Sequence, residues 1–193
     1  MKNKPLLIFC FFQLFPSLYY SQINPLSYNN LEIAILNKDS VFHLDLSKQK
    51  LKKIPKEVFE FKNLQTLNLN KNKLDEIPKE ISKLKQLQKL ELSKNNFTVF
   101  PIYITQIKSL KTLIINKNKI TNIPKEIFNL ENLEKLDLWS NEIKNIPNEI
   151  SSLKKLEELD LRVIQFNEEE QKRVIELLPN AKVHFSKSCN CGY

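Results

Sequence analysis

The sequence predicts a repeat protein of the α/β class, in which short parallel strands stack side by side and form one sheet. Three observations lead to this prediction. Leucines recur every 23 residues, at Leu64, Leu87, Leu110, Leu133 and Leu156. Apolar and polar residues alternate after each of them, as in a strand with one buried face. The chain contains one glycine in 193 residues, which excludes folds that depend on glycine-rich turns or phosphate-binding loops.

The composition is that of a globular domain. Hydrophobic residues make up 41% of the chain and charged residues 27%, so the chain is neither disordered nor an integral membrane protein. Its length allows one domain with a substantial core.

The repeats follow the pattern L-x-x-L-x-L-x-x-N-x-L-x-x-I-P-x-E-I-x-x-L. Five full copies and a partial sixth cover residues 41–166, and the sixth begins at Leu156. This pattern resembles the leucine-rich repeat family, in the variant that carries I-P-x-E-I and occurs in secreted bacterial members. The resemblance implies a right-handed solenoid or horseshoe with a parallel concave sheet and short helical or extended convex segments.

Each repeat position has a predicted role. Leu67 and Leu69 share the buried face of a strand, whereas Thr66, Asn68 and Asn70 point outward. The prolines of the I-P motif can open a short helical turn. An asparagine after each strand is expected to pair with backbone groups in the turn and to form an asparagine ladder of Asn72, Asn95, Asn118 and Asn141.

Both ends of the repeat array are predicted to carry helical caps, since a solenoid otherwise exposes apolar surface there. In residues 22–40, Leu31, Ala34 and Ile35 form a helical stripe, with Asn29 or Asn30 as the N-cap. In residues 167–186, a helix that begins after Asn167 precedes a final edge strand containing Val183 and Phe185. Residues 187–193 are predicted to be a loose tail.

Residues 1–21 read as a signal peptide with a basic start and a short apolar run, although a buried N-terminal helix is an alternative. Phe9 argues against a lipoprotein signal at Cys10. Removal of this segment lowers the formal net charge from +8 to +6 and leaves two cysteines, Cys189 and Cys191. We therefore expect a protein that is secreted, periplasmic or on the cell surface.

The sequence offers no convincing catalytic site, cofactor site or metal site. His43 and His184 fall near opposite ends of the array, with no nucleophile motif beside either. Asp137 and Asp160 would be neighbours in one column and could in principle support glycosidase chemistry, but polar surface positions of a repeat are the simpler explanation. The two C-terminal thiols form an incomplete metal site. We expect no enzymatic activity.

The outward strand positions form the predicted binding face. Trp139 stands where the other repeats carry Asn or Ser, next to the aliphatic Ile114 and to Arg162. Tryptophan and arginine are enriched among residues that dominate binding energy. Alternatively, Arg162 stacks on the indole and only shields it. The predicted ligand-binding residues are Glu91, Ile114, Asn116, Lys135, Asp137, Trp139 and Arg162.

A row of lysines forms a second candidate site for an anionic partner such as an acidic glycan or a membrane surface. It consists of Lys48, Lys71, Lys94 and Lys117, and is extended by Lys50, Lys73 and Lys119. AT-rich codon usage is an alternative explanation for these lysines. Nucleic acid is disfavoured, since interleaved aromatic residues are missing.

Together these features predict a non-catalytic protein that binds a protein or glycan partner through its concave face. The alternatives are an intracellular signalling scaffold, which would retain residues 1–21, and a host-directed effector or enzyme. The sequence does not identify the ligand.

Overall fold

The structure is a computed structural model and describes residues 27–186. The predicted signal peptide at residues 1–21 and the cysteines Cys189 and Cys191 lie outside the described residues, so their predicted roles stay predictions.

Eight parallel strands form one sheet, and each strand pairs with the next one along the chain. This arrangement confirms the predicted parallel solenoid sheet. Partners in the six repeat strands are 23 residues apart, as in the pairing of Leu67 with Leu44 and with Leu90. The strands are β1 Ser27–Tyr28, β2 His43–Asp45, β3 Thr66–Asn68, β4 Lys89–Glu91, β5 Thr112–Ile114, β6 Lys135–Asp137, β7 Glu158–Asp160 and β8 Lys182–His184.

Short 3-10 helices occupy the return side of each full repeat, directly after the repeat proline. Each proline has a φ between −57° and −73°, and its carbonyl accepts a hydrogen bond from the residue three positions later, such as Ile81 for Pro78 at 3.1 Å. The proline ring thus presets the φ that opens the turn. These helices are Lys56–Glu60, Lys79–Lys83, Ile102–Gln106, Lys125–Asn129 and Asn148–Ser152, and a further one spans Lys38–Ser40.

The core is a single continuous apolar cluster between the sheet and the 3-10 helices. In the second repeat, Leu67 and Leu69 from the strand side meet Ile81 and Leu84 from the return side, and none of them is more than 1% exposed. No repeat could bury these side chains alone, so the stacking of neighbouring repeats provides the stabilisation.

The two ends of the array each carry an α-helix. Helix α1, Leu31–Leu36, begins after Asn30, whose side chain accepts a hydrogen bond from the Ile33 backbone. Helix α2, Glu168–Leu177, begins after Asn167 in the same manner and carries three glutamates in its first turn. Such acids interact favourably with the helix dipole. That these helices act as caps stays a prediction.

The N-terminal segment contains one element that the sequence did not predict. Residues Ser27 and Tyr28 form β1, which pairs in parallel with His43 and Leu44 of the first repeat strand. Residues 27–40 are therefore only partly helical. No helix between residues 27 and 186 is long and apolar enough to span a membrane.

The asparagines of the ladder lie in the turns that follow the strands along the chain. All four are no more than 8% exposed. In Asn118, the amide oxygen accepts from the backbone N–H groups of Asn95 and Phe97, at 3.2 Å each. Its amide nitrogen donates to three carbonyls, including those of Leu92 at 3.1 Å and Ile115 at 3.0 Å. Each amide therefore links two consecutive turns.

We expect Asn118→Ala to lower the free energy of unfolding by about 3 kcal/mol, since each buried backbone group left unpaired costs about 1–3 kcal/mol. Asn122→Ala is the matched control, because Asn122 is exposed and bonds only to the neighbouring Thr121. Urea denaturation of both variants measures the difference. Equal stability of the two variants would show that the ladder contributes nothing.

Candidate binding site on the sheet

The sheet face is the surface formed by the outward side chains of the strands. The repeat strands share one burial pattern, in which a buried central leucine is flanked by partly exposed residues, except that Asp160 in β7 is also buried. The first column contains His43, Thr66, Lys89, Thr112, Lys135, Glu158 and Lys182, and the second contains Asp45, Asn68, Glu91, Ile114, Asp137, Asp160 and His184. Backbone pairing continues past the ends of the strands, so a third column contains Ser47, Asn70, Ser93, Asn116, Trp139 and Arg162.

Cross-strand polar contacts connect most of this face. Asn70 donates to Glu91 at 2.7 Å, and Lys89 forms an ion pair with the same carboxylate. Lys135 pairs with Glu158 at 2.6 Å. The contacts of Asn70 with Glu91 and of Lys135 with Glu158 bridge neighbouring repeats, whereas Lys89 and Glu91 lie on the same strand. Glu91 and Lys135, which were both predicted to bind a ligand, are therefore already engaged within the chain.

The surroundings of Trp139 are built largely from charged side chains. The Nζ atom of Lys117 lies 4.0 Å from the centroid of the indole ring, and the guanidinium carbon of Arg162 lies 6.0 Å from it. Both distances fall in the range of cation–π interactions. The indole is partly exposed, and Lys117 lies closer to it than Arg162, the cation named in the shielding alternative.

The strand position of Trp139 is fixed by Asp137. One oxygen of this carboxylate accepts from the Trp139 backbone N–H at 3.1 Å, and the other accepts from the Asn116 amide at 2.6 Å. The indole N–H itself has no hydrogen-bond partner within residues 27–186, and every buried polar side-chain atom in that range is paired, so this donor reaches solvent. The site thus offers an apolar ring with a free hydrogen-bond donor.

Arg162 is held by Asp160 rather than by the indole. The guanidinium donates to both oxygens of the Asp160 carboxylate, and its Nη2 lies 2.6 Å from Oδ2. Asp160 is 5% exposed. Burial would raise the pKa of Asp160, but the hydrogen bonds and charge of Arg162 together outweigh burial and lower it. Asp160 is thus a buried anion neutralised by a half-exposed cation.

Asp137 and Asp160, the two acids that could in principle support glycoside hydrolysis, are both hydrogen-bonded within the chain. Such a pair needs an acid and a second carboxylate that both face the substrate. Burial, assisted by the charge of Asp160, raises the pKa of Asp137, but both of its oxygens accept hydrogen bonds from the chain. His43 and His184 lie on β2 and β8, and each contacts a neighbouring side chain on the sheet face, Thr66 and Glu158 respectively.

The lysine row follows the strands and has an unusual backbone. Lys48, Lys71, Lys94 and Lys117 have φ between 53° and 61°, in the left-handed region. For residues other than glycine this conformation costs about 1–2 kcal/mol, and asparagine tolerates it best. Each backbone N–H donates to a carbonyl of the next repeat, as from Lys117 to Trp139 at 2.8 Å. The left-handed turn thus directs the chain away from the sheet and into the asparagine ladder.

The sequence missed two parts of this site. It did not predict the contact between Lys117 and Trp139, because Lys117 was assigned only to the lysine row. Nor did it predict the left-handed turns, since the usual glycine signal is missing. One signal was available in the sequence. A lysine recurs between each third-column residue and the next ladder asparagine, at Lys71, Lys94 and Lys117, and this is where the chain turns.

Comparisons with known proteins match the repeat pattern. A family model described as a leucine-rich repeat region matches residues 64–183. A leucine-rich repeat protein of Leptospira interrogans is 37% identical, with a TM-score of 0.68, and the match covers 83% of this chain and 46% of that one. The chain thus spans about half the length of that protein. No curated protein sequence matches.

Two further structures share the fold at lower identity. Internalin C2 of Listeria monocytogenes is 22% identical, with a TM-score of 0.67 over 83% of this chain and 67% of the internalin. The ectodomain of the Arabidopsis thaliana receptor kinase GASSHO1/SCHENGEN3, in complex with CASPARIAN STRIP INTEGRITY FACTOR 2, is 24% identical, with a TM-score of 0.56 over 65% of this chain and 16% of that one.

We expect Arg162→Met to destabilise the protein more at pH 7 than at pH 3.5. The lowered pKa of Asp160 makes its anion stabilising at neutral pH, and this contribution is lost as the pH falls through the folded-state pKa. Without Arg162 the buried carboxylate is uncompensated at pH 7 and is protonated in acid. Urea unfolding at the two pH values measures the effect. Lys154→Met is the control, because Lys154 is exposed and forms no ion pair within residues 27–186. A penalty independent of pH would contradict the role assigned to the ion pair.

Proposed function

Since the chain belongs to the leucine-rich repeat family, we propose that it is an exported, non-catalytic recognition protein that binds a protein partner through the sheet face around Trp139. The fold is that of protein-binding repeat domains, and proteins of this family are mostly non-catalytic binders. Its partner contacts are Ile114, Trp139 and Arg162, with Asn116, Asp137, Lys135 and Glu91 holding the surrounding surface in place.

The environment of Trp139 is the observation that carries this proposal. Most other outward side chains near it satisfy their polar groups through contacts within the chain, whereas the indole N–H has no partner among residues 27–186 and the residue is partly exposed. A ring in contact with the Lys117 side chain loses little freedom when a partner binds, which reduces the entropic cost of association. Rigid aromatic side chains of this kind often dominate binding energy.

A protein segment fits this site better than a small molecule does. Trp139 is partly exposed on the sheet face, and Ile114, on the neighbouring strand, is the aliphatic residue of the three outward columns. An apolar side chain of a partner can lie on the ring, while a backbone carbonyl accepts from the indole N–H and an acidic group reaches Arg162. The plant ectodomain complex is an example of a neighbour in fold that binds a partner.

Export is the second part of the proposal, and the intracellular scaffold is its main rival. The proposal rests on the basic start and the apolar run of residues 1–21. The solved bacterial neighbours include an internalin. The enzyme alternative would need free acid and base groups, whereas the acids at the centre of the sheet face are engaged by Asn116, Lys89 and Arg162.

Trp139→Ala is expected to weaken partner binding by at least about 2 kcal/mol, as at a binding hot spot, and to leave the fold nearly intact. Leu138→Ala is the matched control one residue away. Leu138 is 0% exposed, and its truncation should cost about 2–5 kcal/mol of stability through the cavity that it creates.

Affinity purification of partners with the wild-type protein, followed by calorimetry on the recovered partner, measures binding, and thermal melts measure stability. Retained binding by Trp139→Ala would move the site away from the indole. A collapse of Trp139→Ala as severe as that of Leu138→Ala would mean that the ring contributes mainly to the fold.

The export proposal predicts a mature chain that begins near Gln22. Mass spectrometry of the natively expressed protein, fractionated into cytosol and exported material, measures the start of the chain. Detection of intact Met1 on a cytosolic protein would favour the scaffold. As the control, replacing Leu6, Leu7 and Ile8 by Gln should abolish cleavage, because the apolar run is the part of a signal peptide that the export machinery requires.

A further inference from the structure

We infer that the lysine edge is a separate site for a linear acidic polysaccharide, which would lie across the first four repeats. The lysine edge is the lysine row together with its extension, that is Lys48, Lys50, Lys71, Lys73, Lys94, Lys117 and Lys119. It borders the sheet face but does not depend on partner binding at Trp139. The inference rests on the geometry of the edge, on its unneutralised charge and on its backbone conformation.

The geometry of the edge follows from the strand register. Backbone N–H groups of Lys48, Lys71 and Lys94 donate to carbonyls of the next repeat at 2.9, 2.8 and 3.0 Å, so that these lysines stand at one level in consecutive repeats. Neighbouring parallel strands lie about 4.8 Å apart. The edge therefore presents one lysine per repeat at the same level, with further lysines two residues on at Lys50, Lys73 and Lys119.

The charge of this edge is not neutralised within the described chain. Ten ion pairs occur among residues 27–186, and none of them includes a lysine of the edge. The nearby acids of the sheet face are already engaged, as Glu91 is by Lys89 and Asp160 is by Arg162. Seven cations in such proximity repel one another and attract a polyanion from solution.

The left-handed backbone conformation indicates that lysine occurs at these positions because of its charge and not because of the overall composition of the chain. Asparagine is better suited than lysine to a left-handed φ. The chain is rich in asparagine and places it on either side of this row, for example at Asn70 and Asn72 around Lys71. An AT-rich coding bias favours both lysine and asparagine. It therefore does not explain why the less suitable residue, lysine, occurs at all four positions, Lys48, Lys71, Lys94 and Lys117.

The shape and chemistry of the edge favour an acidic glycan over other polyanions. Single-stranded nucleic acids are usually held by aromatic side chains that stack on successive bases. Among residues 27–186, Trp139 is the one aromatic residue whose ring lies against a lysine of the edge, Lys117. Surface-bound proteins usually insert apolar side chains into a membrane. Between Lys48 and Lys119 the exposed large hydrophobic residues are Val99, Ile102 and Tyr103, which lie in or just before the 3-10 helix Ile102–Gln106 on the return side and not among the lysines. An extended polysaccharide carries acidic groups at intervals comparable to the strand spacing, so it can contact one lysine per repeat.

The test uses the full mature chain in which Lys48, Lys71 and Lys94 are all changed to Asn. This variant leaves Lys117 against Trp139 and keeps residues that accept a left-handed backbone. The matched control changes Lys62, Lys85 and Lys154 to Asn. These lysines are also exposed and unpaired within the described chain, but they precede the strands instead of following them. Both variants lose three positive charges.

Heparin and polygalacturonate are the probes, with binding measured by calorimetry at about 0.05 M and 0.15 M salt, where the Debye length shortens from about 14 Å to 8 Å. We expect the edge variant to bind both probes at least tenfold more weakly, with a shallower salt dependence, and to melt at an unchanged or higher temperature. The control should change by less than about threefold. Equal losses in the two variants would show that net charge alone attracts the probes and would overturn the assignment.

Two further probes separate the alternative polyanions. Single-stranded DNA and vesicles of phosphatidylserine and phosphatidylcholine are expected to bind more weakly than either polysaccharide. Preferential binding of the DNA or the vesicles, lost in the edge variant, would overturn the polysaccharide assignment in favour of that polyanion. Failure of the wild-type protein to bind any of the probes at low salt would leave the edge without a ligand and contradict the inference.

Discussion

The hydrogen bonds of the buried asparagines are the constraint on which the rest of the structure depends. After each of the six repeat strands, β2 to β7, the chain turns inward at a left-handed residue and leaves backbone donors and acceptors without strand partners. Asn72, Asn95, Asn118 and Asn141 satisfy groups from two consecutive turns, so that the turns repeat with one geometry. Because the turns are alike, the strands come into register and the leucines of successive repeats form one core.

The same register determines which side chains a partner can meet. Strand residues alternate between core and sheet face, so burial of Leu136 and Leu138 leaves Lys135, Asp137 and Trp139 outside. The core positions are constrained by packing, whereas the outward positions need only be compatible with their neighbours. A large apolar residue at an outward position contributes little to the stability of the fold. For that reason Trp139 is more informative about function than any of the leucines.

The sequence predicted the register and the columns because two periods, of 2 and of 23 residues, agree along the chain. It failed where the structure depends on no period. Strand β1 has only Ser27 and Tyr28, too few residues for an alternating pattern, and pairs because the first repeat offers an open edge. The contact of Lys117 with Trp139 depends on the conformation of a long side chain and on a left-handed turn, neither of which the residue types specify.

The fifth repeat shows how the two candidate sites meet. In the first four repeats, a small polar residue in the third column is followed by a left-handed lysine, whereas the fifth has Trp139 followed by the left-handed Ser140. A lysine at position 140 would add another cation beside Lys117 and Arg162, next to the same ring. With serine there, two cations suffice to flank the indole, and the lysine row ends where the aromatic surface begins. The boundary between a charged edge and an apolar anchor is therefore set by one pair of adjacent residues.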